Sequence, residues 1–273
     1  MNDVLETTWL SPQVKWFRIE SPDISRKARA GQFVIVRVEE QGERIPLTIA
    51  DFDGINTIDF VVQEVGAGTR AINRLQKGDR FLNIAGPLGR PSEIDRFGVV
   101  VCIGGGIGIA PLYPIAKELR KSGNTILSIL GARNKDLLFW LDKFSALSDE
   151  LVIITDDGSM GRKGVVTEPL KELIAKNMKI DRVIAIGPAV MMKFVSIVTK
   201  EKSIKTIVSL NPIMLDGTGM CGGCRVEVAG VSKFVCVDGP EFDAHQVDFD
   251  LLMARQGIYK NEEQECRIRG VLQ

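Results

Sequence analysis

The chain has 273 residues, with 35 basic and 35 acidic side chains, a formal net charge of zero, and 45% hydrophobic and 26% charged residues. That length holds two or three domains of ordinary globular composition, and the balanced charge argues against a nucleic-acid-binding or anionic-membrane-binding surface. Five cysteines, three of them clustered, argue against a disulfide framework and for a reducing, cytoplasmic setting, while one histidine leaves no material for a His-rich metal site and little for a hydrolase triad.

The opening MNDVLETTWLSP is too polar and acidic for a signal peptide. Residues 1–95 then read as all-β. VKWFRIES, QFVIVRVE, PLTIADF, TIDFVVQEV and DRFLNIAG are short runs rich in Val, Ile and Phe, punctuated by Gly, Pro and Asp. Such spacing predicts a small antiparallel barrel. GTRAINRLQKGD, between two of these runs, reads as a short helix ending at Gly78.

From residue 96 to about 205 the pattern changes to alternating strands and helices. FGVVVCIGG is a continuous apolar run of the kind that forms a parallel strand buried on both faces. Residues 97–116 are uncharged and long enough to span a membrane, but Gly104, Gly105, Gly106, Gly108, Pro111 and Pro114 make strand, turn and helix start the better reading. Helices are predicted at PLYPIAKELRKSG, KDLLFWLDKFSAL, VTEPLKELIAK and VMMKFVSIVTK. Strands are predicted at NTILSILGAR, ELVIITDDG and DRVIAIGPA. The alternation predicts a doubly wound α/β domain.

Residues 206–273 form a third unit. IVSLNPIM leads into a glycine-rich loop, RVEVAGVSKFVC reads as a hairpin turning at Ala229-Gly230, and the segment from 248 starts as a helix.

The loop in this third unit carries the most specific signal. Asp216, Cys221, Cys224 and Cys236 are spaced D-x4-C-x2-C-x11-C, and the plant-type [2Fe–2S] loop reads C-x4-C-x2-C…C. Gly217, Gly219, Gly222 and Gly223 lie between the candidate ligands, where the backbone must bend sharply and approach a cluster closely. Two other readings compete. The three cysteines with His245 make a Cys3His zinc set, and Asp216 serves equally as a turn residue, with Cys266 as another thiol downstream.

The turn Gly104-Gly105-Gly106-Ile107-Gly108-Ile109-Ala110-Pro111 follows a buried strand and opens a helix, the setting that suits a nucleotide phosphate, although its spacing is not GxGxxG. A strand–helix turn without ligand is the alternative. Cys102 just before it reads as a small buried hydrophobe. Further strand ends carry Arg133, Asp156, Asp157, Gly187 and Pro188. Asp156 and Asp157 suit ribose hydroxyls and favour NAD(H), whereas Arg133, Arg162 and Lys163 argue for a 2′-phosphate; the aspartates also fit a solvated turn. In the barrel, Arg44 offers a phosphate fork, and Gly66, Gly68 and Thr69 offer anion donors at a helix start; ordinary turn chemistry explains these equally well.

Barrel, α/β domain and terminal iron–sulfur loop, in that order, resemble the ferredoxin–NADP reductase-like electron-transfer flavoproteins across nearly the whole chain. Within that family the chain looks closest to two branches. One is the small-subunit type of NADH-dependent reduced ferredoxin:NADP oxidoreductase, also described as sulfide dehydrogenase. The other is the electron-transfer subunit of dihydroorotate dehydrogenase. The resemblance implies FAD along Arg44, Pro46, Leu47 and Thr48, with Val62, Gln63, Gly66, Gly68 and Thr69 near its pyrophosphate. It implies NAD(H) along Gly104, Gly105, Gly106, Gly108, Ala110 and Pro111. The family's flavin motif is Arg-x-Tyr-Ser/Thr; here Leu47 takes the tyrosine's place and Arg44 lies one residue upstream. Dihydroorotate-linked subunits present four cysteines, so LDGTGMCGGC with VCVDGPEFDAHQVDF downstream looks like the transhydrogenase type.

The expectation is therefore three domains. They are a FAD-binding β-barrel (1–95), an NAD(H)-binding doubly wound domain (96–205) and a small [2Fe–2S] domain (206–273) with ligands Asp216, Cys221, Cys224 and Cys236. Hydride passes between NAD(H) and FAD, and electrons then leave singly through the cluster; the cofactors carry the chemistry. The implied partner is a larger FAD/[4Fe–4S] flavoprotein in a heterodimer that couples NADP(H) and ferredoxin by electron bifurcation. Dihydroorotate dehydrogenase chemistry and a zinc-stabilised nucleotide-binding regulator are the alternatives.

Overall fold

The computed structural model of the protein describes residues 2–259 together with Glu262 and Glu265, so Cys266 lies outside the described residues. Residues up to Leu88 build two antiparallel sheets around one core. A four-stranded sheet runs Val4–Ser11, Val14–Glu20, Thr57–Gln63, Asp51–Phe52, and a three-stranded sheet runs Ile45–Thr48, Phe33–Arg37, Asn83–Leu88. Alternation decides what points inward. In Val14–Glu20, Phe17 and Ile19 are buried, while Trp16, Arg18 and Glu20 lie on the other face. Phe17 and Phe60 each meet Phe81 edge-on, at centroid distances of 6.2 and 5.7 Å. The predicted single strand PLTIADF is two strands, one in each sheet. Between them Ile49 donates its N–H to Gln32 O and Ala50 donates to Asp59 O, so the chain turns a barrel corner there.

The helix expected after Gly66 is Ala67–Arg74. Lys15, fully buried in the adjacent strand, donates its Nζ to the carbonyls of Asn73 (2.9 Å) and Leu75 (2.7 Å), and so satisfies groups that the helix end leaves open.

A seven-stranded sheet follows, ordered Arg162–Lys163, Glu150–Thr155, Thr125–Ala132, Val99–Gly105, Arg182–Ile186, Thr206–Ser209, Glu241–Asp243. All pairings are parallel except the last, where Ile207 faces Asp243. Strand parity sorts the side chains onto two faces. Val100, Cys102, Ile126 and Ile184 pack under helices Ile109–Lys121 and Leu141–Leu147. Val101, Ile103, Leu127 and Val183 pack under Thr167–Ala175 and Ala189–Lys200. The sheet is doubly wound, with its order reversing between Val99–Gly105 and Arg182–Ile186.

Two local expectations change. The uncharged run 97–116 is strand, 3-10 turn (Gly106–Gly108) and helix, and among the described residues no helix is long and apolar enough to cross a membrane. The helix expected over 135–147 is broken into Lys135–Leu137 and Leu141–Leu147. Trp140 adopts φ 56° between them, and Leu138 and Phe139 turn into the core.

The C-terminal segment does not build a core of its own. Val208, Leu210, Cys224, Cys236, Phe242 and Leu252 pack in one cluster with Val183 and Val195 of the α/β layer and with Phe33 and Ile35 of the barrel. Its hairpin, Arg225–Val228 with Val231–Phe234, turns at Ala229 (φ 55°) and Gly230 (φ 74°).

Candidate functional site

The glycine turn closes the C-terminal end of Val99–Gly105, at the point where the sheet order reverses. Its glycines are required by close approach. A Cβ on Gly105 would overlap Met191 Sδ, and one on Gly108 would overlap the Ile186 carbonyl. Gly187 is equally pressed, 2.8 Å from Met191 and 3.0 Å from the Gly105 backbone by the same measure. Gly106 differs. It adopts φ 54°, and open space lies where its Cβ would project. The turn is thus braced from below by Gly187, Pro188 and Met191 and open above, the form that admits a phosphate to the backbone. Ala110 is buried at the helix start, in one cluster with Val61 and Ala50 of the barrel. The turn itself abuts strand Thr57–Gln63.

The parallel strands Thr125–Ala132 and Glu150–Thr155 end on the same edge. Arg133 and Asp156 follow them and are exposed. Asp157 is engaged within its own turn. Ser159 donates to it from side chain and backbone, and holds its carboxyl below the ordinary range. Asp156 carries no side-chain partner among the described residues, so it is the aspartate free to meet a ribose. Arg162 is held by Glu172 through a fork of 2.8 and 2.6 Å, and this removes it from any 2′-phosphate role. The balance between the two sequence arguments therefore shifts towards NAD(H).

On the barrel, residues of Ile45–Thr48 alternate. Leu47 is buried in the barrel core and Ile45 packs against that core, whereas Pro46 and Thr48 are half-buried on the opposite face. Val62 is likewise a core residue, while Gln63 is half-buried. Leu47 and Val62 therefore offer a ligand backbone only. At the helix start, Thr69 Oγ1 accepts from the N–H groups of Val65 (2.9 Å) and Gly66 (3.0 Å). The Glu43 carboxylate rests over Gly68, in the space a Cβ there would fill. An anionic oxygen at that cradle is the chemistry a pyrophosphate presents, so Gly66, Gly68 and Thr69 fit FAD.

The cysteine loop presents two pairs of donors. Cys224 and Cys236 are buried with sulfurs 3.3 Å apart, and Cys236 N–H also faces Cys224 Sγ at 3.5 Å. Burial, and then the neighbouring Cys224, push the Cys236 thiol up to about 12. A bound cation reverses this and deprotonates such a thiol. Two thiolates at 2.3 Å on one tetrahedral ion lie ~3.8 Å apart, close to the spacing found. The second pair is exposed. Asp216 accepts from Thr218 N–H through Oδ1 and from Cys221 N–H through Oδ2, both at 2.8 Å, so its carboxylate and Cys221 share one end of the loop. The Thr218 bond holds the Asp216 carboxyl below its usual range against a small opposing effect of burial. Gly217, Gly219 and Gly222 take φ of 77°, 87° and 66° around these donors.

Two donor pairs fit a two-iron cluster. Among the described residues no three His, Cys, Asp or Glu groups converge on a single ion, and His245 is bound elsewhere, Nε2 to Thr199 Oγ1 at 3.0 Å. The Cys3His zinc set is therefore not assembled.

Arg44 was expected along FAD. Its Nε instead donates to the carbonyl of Leu215 at 3.0 Å, one residue before Asp216. Sequence reasoning missed Leu215 as a partner, since the two residues are 171 positions apart. Beside it, Gly217 packs on Ile35 and Leu88, on the outer face of the three-stranded sheet.

The segment 211–248 matches the family model described as the iron–sulfur cluster binding domain of dihydroorotate dehydrogenase B. The whole chain is 48% identical over 266 residues to the dihydroorotate dehydrogenase B (NAD(+)) electron transfer subunit homolog of Thermotoga maritima, covering 96% of this chain and 93% of that one. It is 37% identical over 254 residues to the probable dihydroorotate dehydrogenase B (NAD(+)) electron transfer subunit of Methanocaldococcus jannaschii, covering 92% and 91%. Among solved structures it is similar to a chain from work on flavin-based electron bifurcation by the NADH-dependent reduced ferredoxin-NADP oxidoreductase. The TM-score there is 0.93 and the identity 46%, over 99% of this chain and 98% of that one.

Proposed function

Because the chain belongs to the family of dihydroorotate dehydrogenase B electron-transfer subunits and their homologues, we propose that it links NAD(H), through FAD and a [2Fe–2S] cluster, to a larger iron–sulfur flavoprotein in an electron-bifurcating NADH/ferredoxin:NADP oxidoreductase. When bound, FAD exchanges a hydride with NAD(H) and parts with electrons singly, and the cluster carries one electron at a time. The remaining work belongs to the chain. Gly104, Gly105, Gly106 and Gly108 present backbone to the dinucleotide, braced by Gly187 and Pro188, while Ala110 and Pro111 start the helix behind it. Asp156 meets a ribose hydroxyl, with Arg133 beside it. Pro46, Thr48 and Gln63, with Gly66, Gly68 and Thr69, hold FAD. Asp216 and Cys221 take one iron, and Cys224 and Cys236 take the other.

One observation carries this reading. The three segments abut in the order that electrons must travel. The glycine turn Gly106–Gly108 lies against strand Thr57–Gln63, that strand contacts Ile45–Thr48, and Arg44 at the end of Ile45–Thr48 bonds the cysteine loop at Leu215. Electron transfer needs such adjacency, and a zinc-stabilised nucleotide sensor does not.

The purified protein should be coloured, with iron and acid-labile sulfide in equal amount and one FAD per chain, and NADH should bleach it under anaerobic conditions. A colourless protein with one zinc would sink the proposal. The printed names of several relatives favour a second reading, the dihydroorotate dehydrogenase role. Co-purification decides: a large iron–sulfur flavoprotein supports the first, and an orotate-forming partner the second.

A further inference from the structure

Two arginines share one face of the three-stranded sheet. Strands Phe33–Arg37 and Ile45–Thr48 pair Phe33 with Thr48, Ile35 with Pro46 and Val36 with Ile45. Continuing that register one step sets Arg37 across from Arg44. Alternation turns Val34, Val36 and Leu47 into the barrel and sends Phe33 and Ile35 outward, into the core shared with the cysteine loop. Arg37 and Arg44 fall on that outward side. Two like charges directly opposite on paired strands repel, so such a pair is stable only against an anionic neighbour. Gly217 seats the loop on this same face, against Ile35 and Leu88. Arg44 reaches the loop directly, through Nε to Leu215 O at 3.0 Å. Arg37 Nε is buried without a hydrogen-bond partner among the described residues. A buried guanidinium nitrogen left so is costly unless negative charge lies nearby.

We propose that Arg44, with Arg37 beside it, is a positioning and charge-compensating residue of the iron–sulfur loop, and not a phosphate ligand of FAD. It rests on the electron-transfer reading above. Three thiolates and a carboxylate around two irons leave a net negative charge that grows by one on one-electron reduction. A fixed guanidinium stabilises the reduced form more than the oxidised one and raises the potential. Its second action is geometric. By holding the Leu215 carbonyl it fixes the chain immediately ahead of Asp216, the donor whose placement depends most on loop conformation. The same bond ties the loop to the strand proposed to carry FAD, so it also sets the spacing between the two carriers.

The test uses the purified full-length chain, its FAD and cluster content measured, in an anaerobic redox titration followed by the EPR signal of the reduced cluster. Arg44→Gln should keep FAD and lower the reduced-to-oxidised ratio at fixed potential three- to tenfold, roughly 30–60 mV for a one-electron couple. Arg44→Lys keeps the charge and should restore most of that loss while still altering the EPR line shape, because the planar Nε donor is gone. A merely structural arginine would show neither the shift nor the rescue. An unchanged potential and line shape in Arg44→Gln overturns the proposal. So does loss of FAD with the cluster untouched, since the arginine would then be a flavin ligand. If Arg44→Gln strips the cluster, Arg44→Lys and Arg37→Gln decide. A lowered potential in Arg37→Gln together with a retained cluster in Arg44→Lys supports the proposal, and any other pair of results refutes it. Wild-type protein without iron and sulfide is a different outcome, and defeats the electron-transfer reading itself.

Discussion

Single residues divide into those whose chemistry is local and those whose partner is distant. Asp216 is local: both carboxylate oxygens accept backbone N–H groups of its own loop. That bonding satisfies a turn residue and a metal ligand equally, so two substitutions are needed to separate the roles. Asp216→Asn keeps an oxygen for Thr218 N–H but is a poor iron donor. It should leave the fold intact and cut iron content and visible absorption, whereas Asp216→Cys should preserve both. An Asn variant with full iron content would reduce Asp216 to a turn residue. Cys224→Ala should abolish the absorption outright, because Cys236 Sγ then loses its 3.3 Å neighbour. At the dinucleotide site, Asp156→Ala removes a charge-assisted hydrogen bond worth roughly 1.5–3 kcal/mol. The kcat/KM ratio for NADH over NADPH should fall at least tenfold, and an unchanged ratio would remove Asp156 from the ribose site. The ligand types were legible because cysteine spacing and strand-end aspartates are short-range signals. The bond from Arg44 to Leu215 was not, because nothing local marks a partner across the whole fold.

Among the elements, the glycine turn shows what sequence spacing can and cannot convey. Four glycines before a helix predict a phosphate turn, but not which glycine faces the ligand and which faces the protein. The backbone separates them. Gly108 is pressed against the Ile186 carbonyl, and Gly106 is open at φ 54°. Gly108→Ala must push backbone against backbone and should destabilise the protein by about 1–3 kcal/mol, with a lower melting temperature. Gly106→Ala meets no atom and strains only its own φ, at a cost of about 1–2 kcal/mol. It should raise the KM for NADH well beyond what its stability loss explains, since the added methyl projects where the dinucleotide would lie. Equal effects on KM from both variants would show that the open side of the turn is not the binding side. Strand alternation made the barrel and the doubly wound sheet legible. Helix 135–147 was misread because an apolar periodic run looks alike whether it is one helix or two pieces joined by buried Leu138 and Phe139.

At the scale of the molecule, three units are legible in the alternation of strands and helices, but their union is not, since a shared core leaves no periodicity. Glu241 sits where they meet. Its strand, Glu241–Asp243, forms the last edge of the seven-stranded sheet, and its carboxylate accepts from Ser92 Oγ at 2.5 Å, in the segment leaving the barrel. Nearby, Arg182 pairs with Glu93 at 2.8 Å and lies 3.5 Å over Phe97. Though the residue as a whole is half-buried, its carboxylate is enclosed. Burial raises the Glu241 carboxyl above its ordinary 4.5, with Glu93 adding to the rise, and Ser92 and Arg182 oppose it. The folded protein thus holds this proton more tightly than the unfolded chain. The sign follows from linkage. The favourable contribution is complete below pH 4.5 and disappears as pH rises through the folded value, above which an enclosed negative charge weakens the junction. Glu241→Gln keeps a neutral oxygen for Ser92 at every pH. The melting temperature of the variant, relative to the parent, should therefore climb between pH 4.5 and pH 8. Thermal unfolding across that range checks it, and a difference that stays flat or falls would mean that Arg182 already neutralises the junction and that the three units are joined by their apolar core alone.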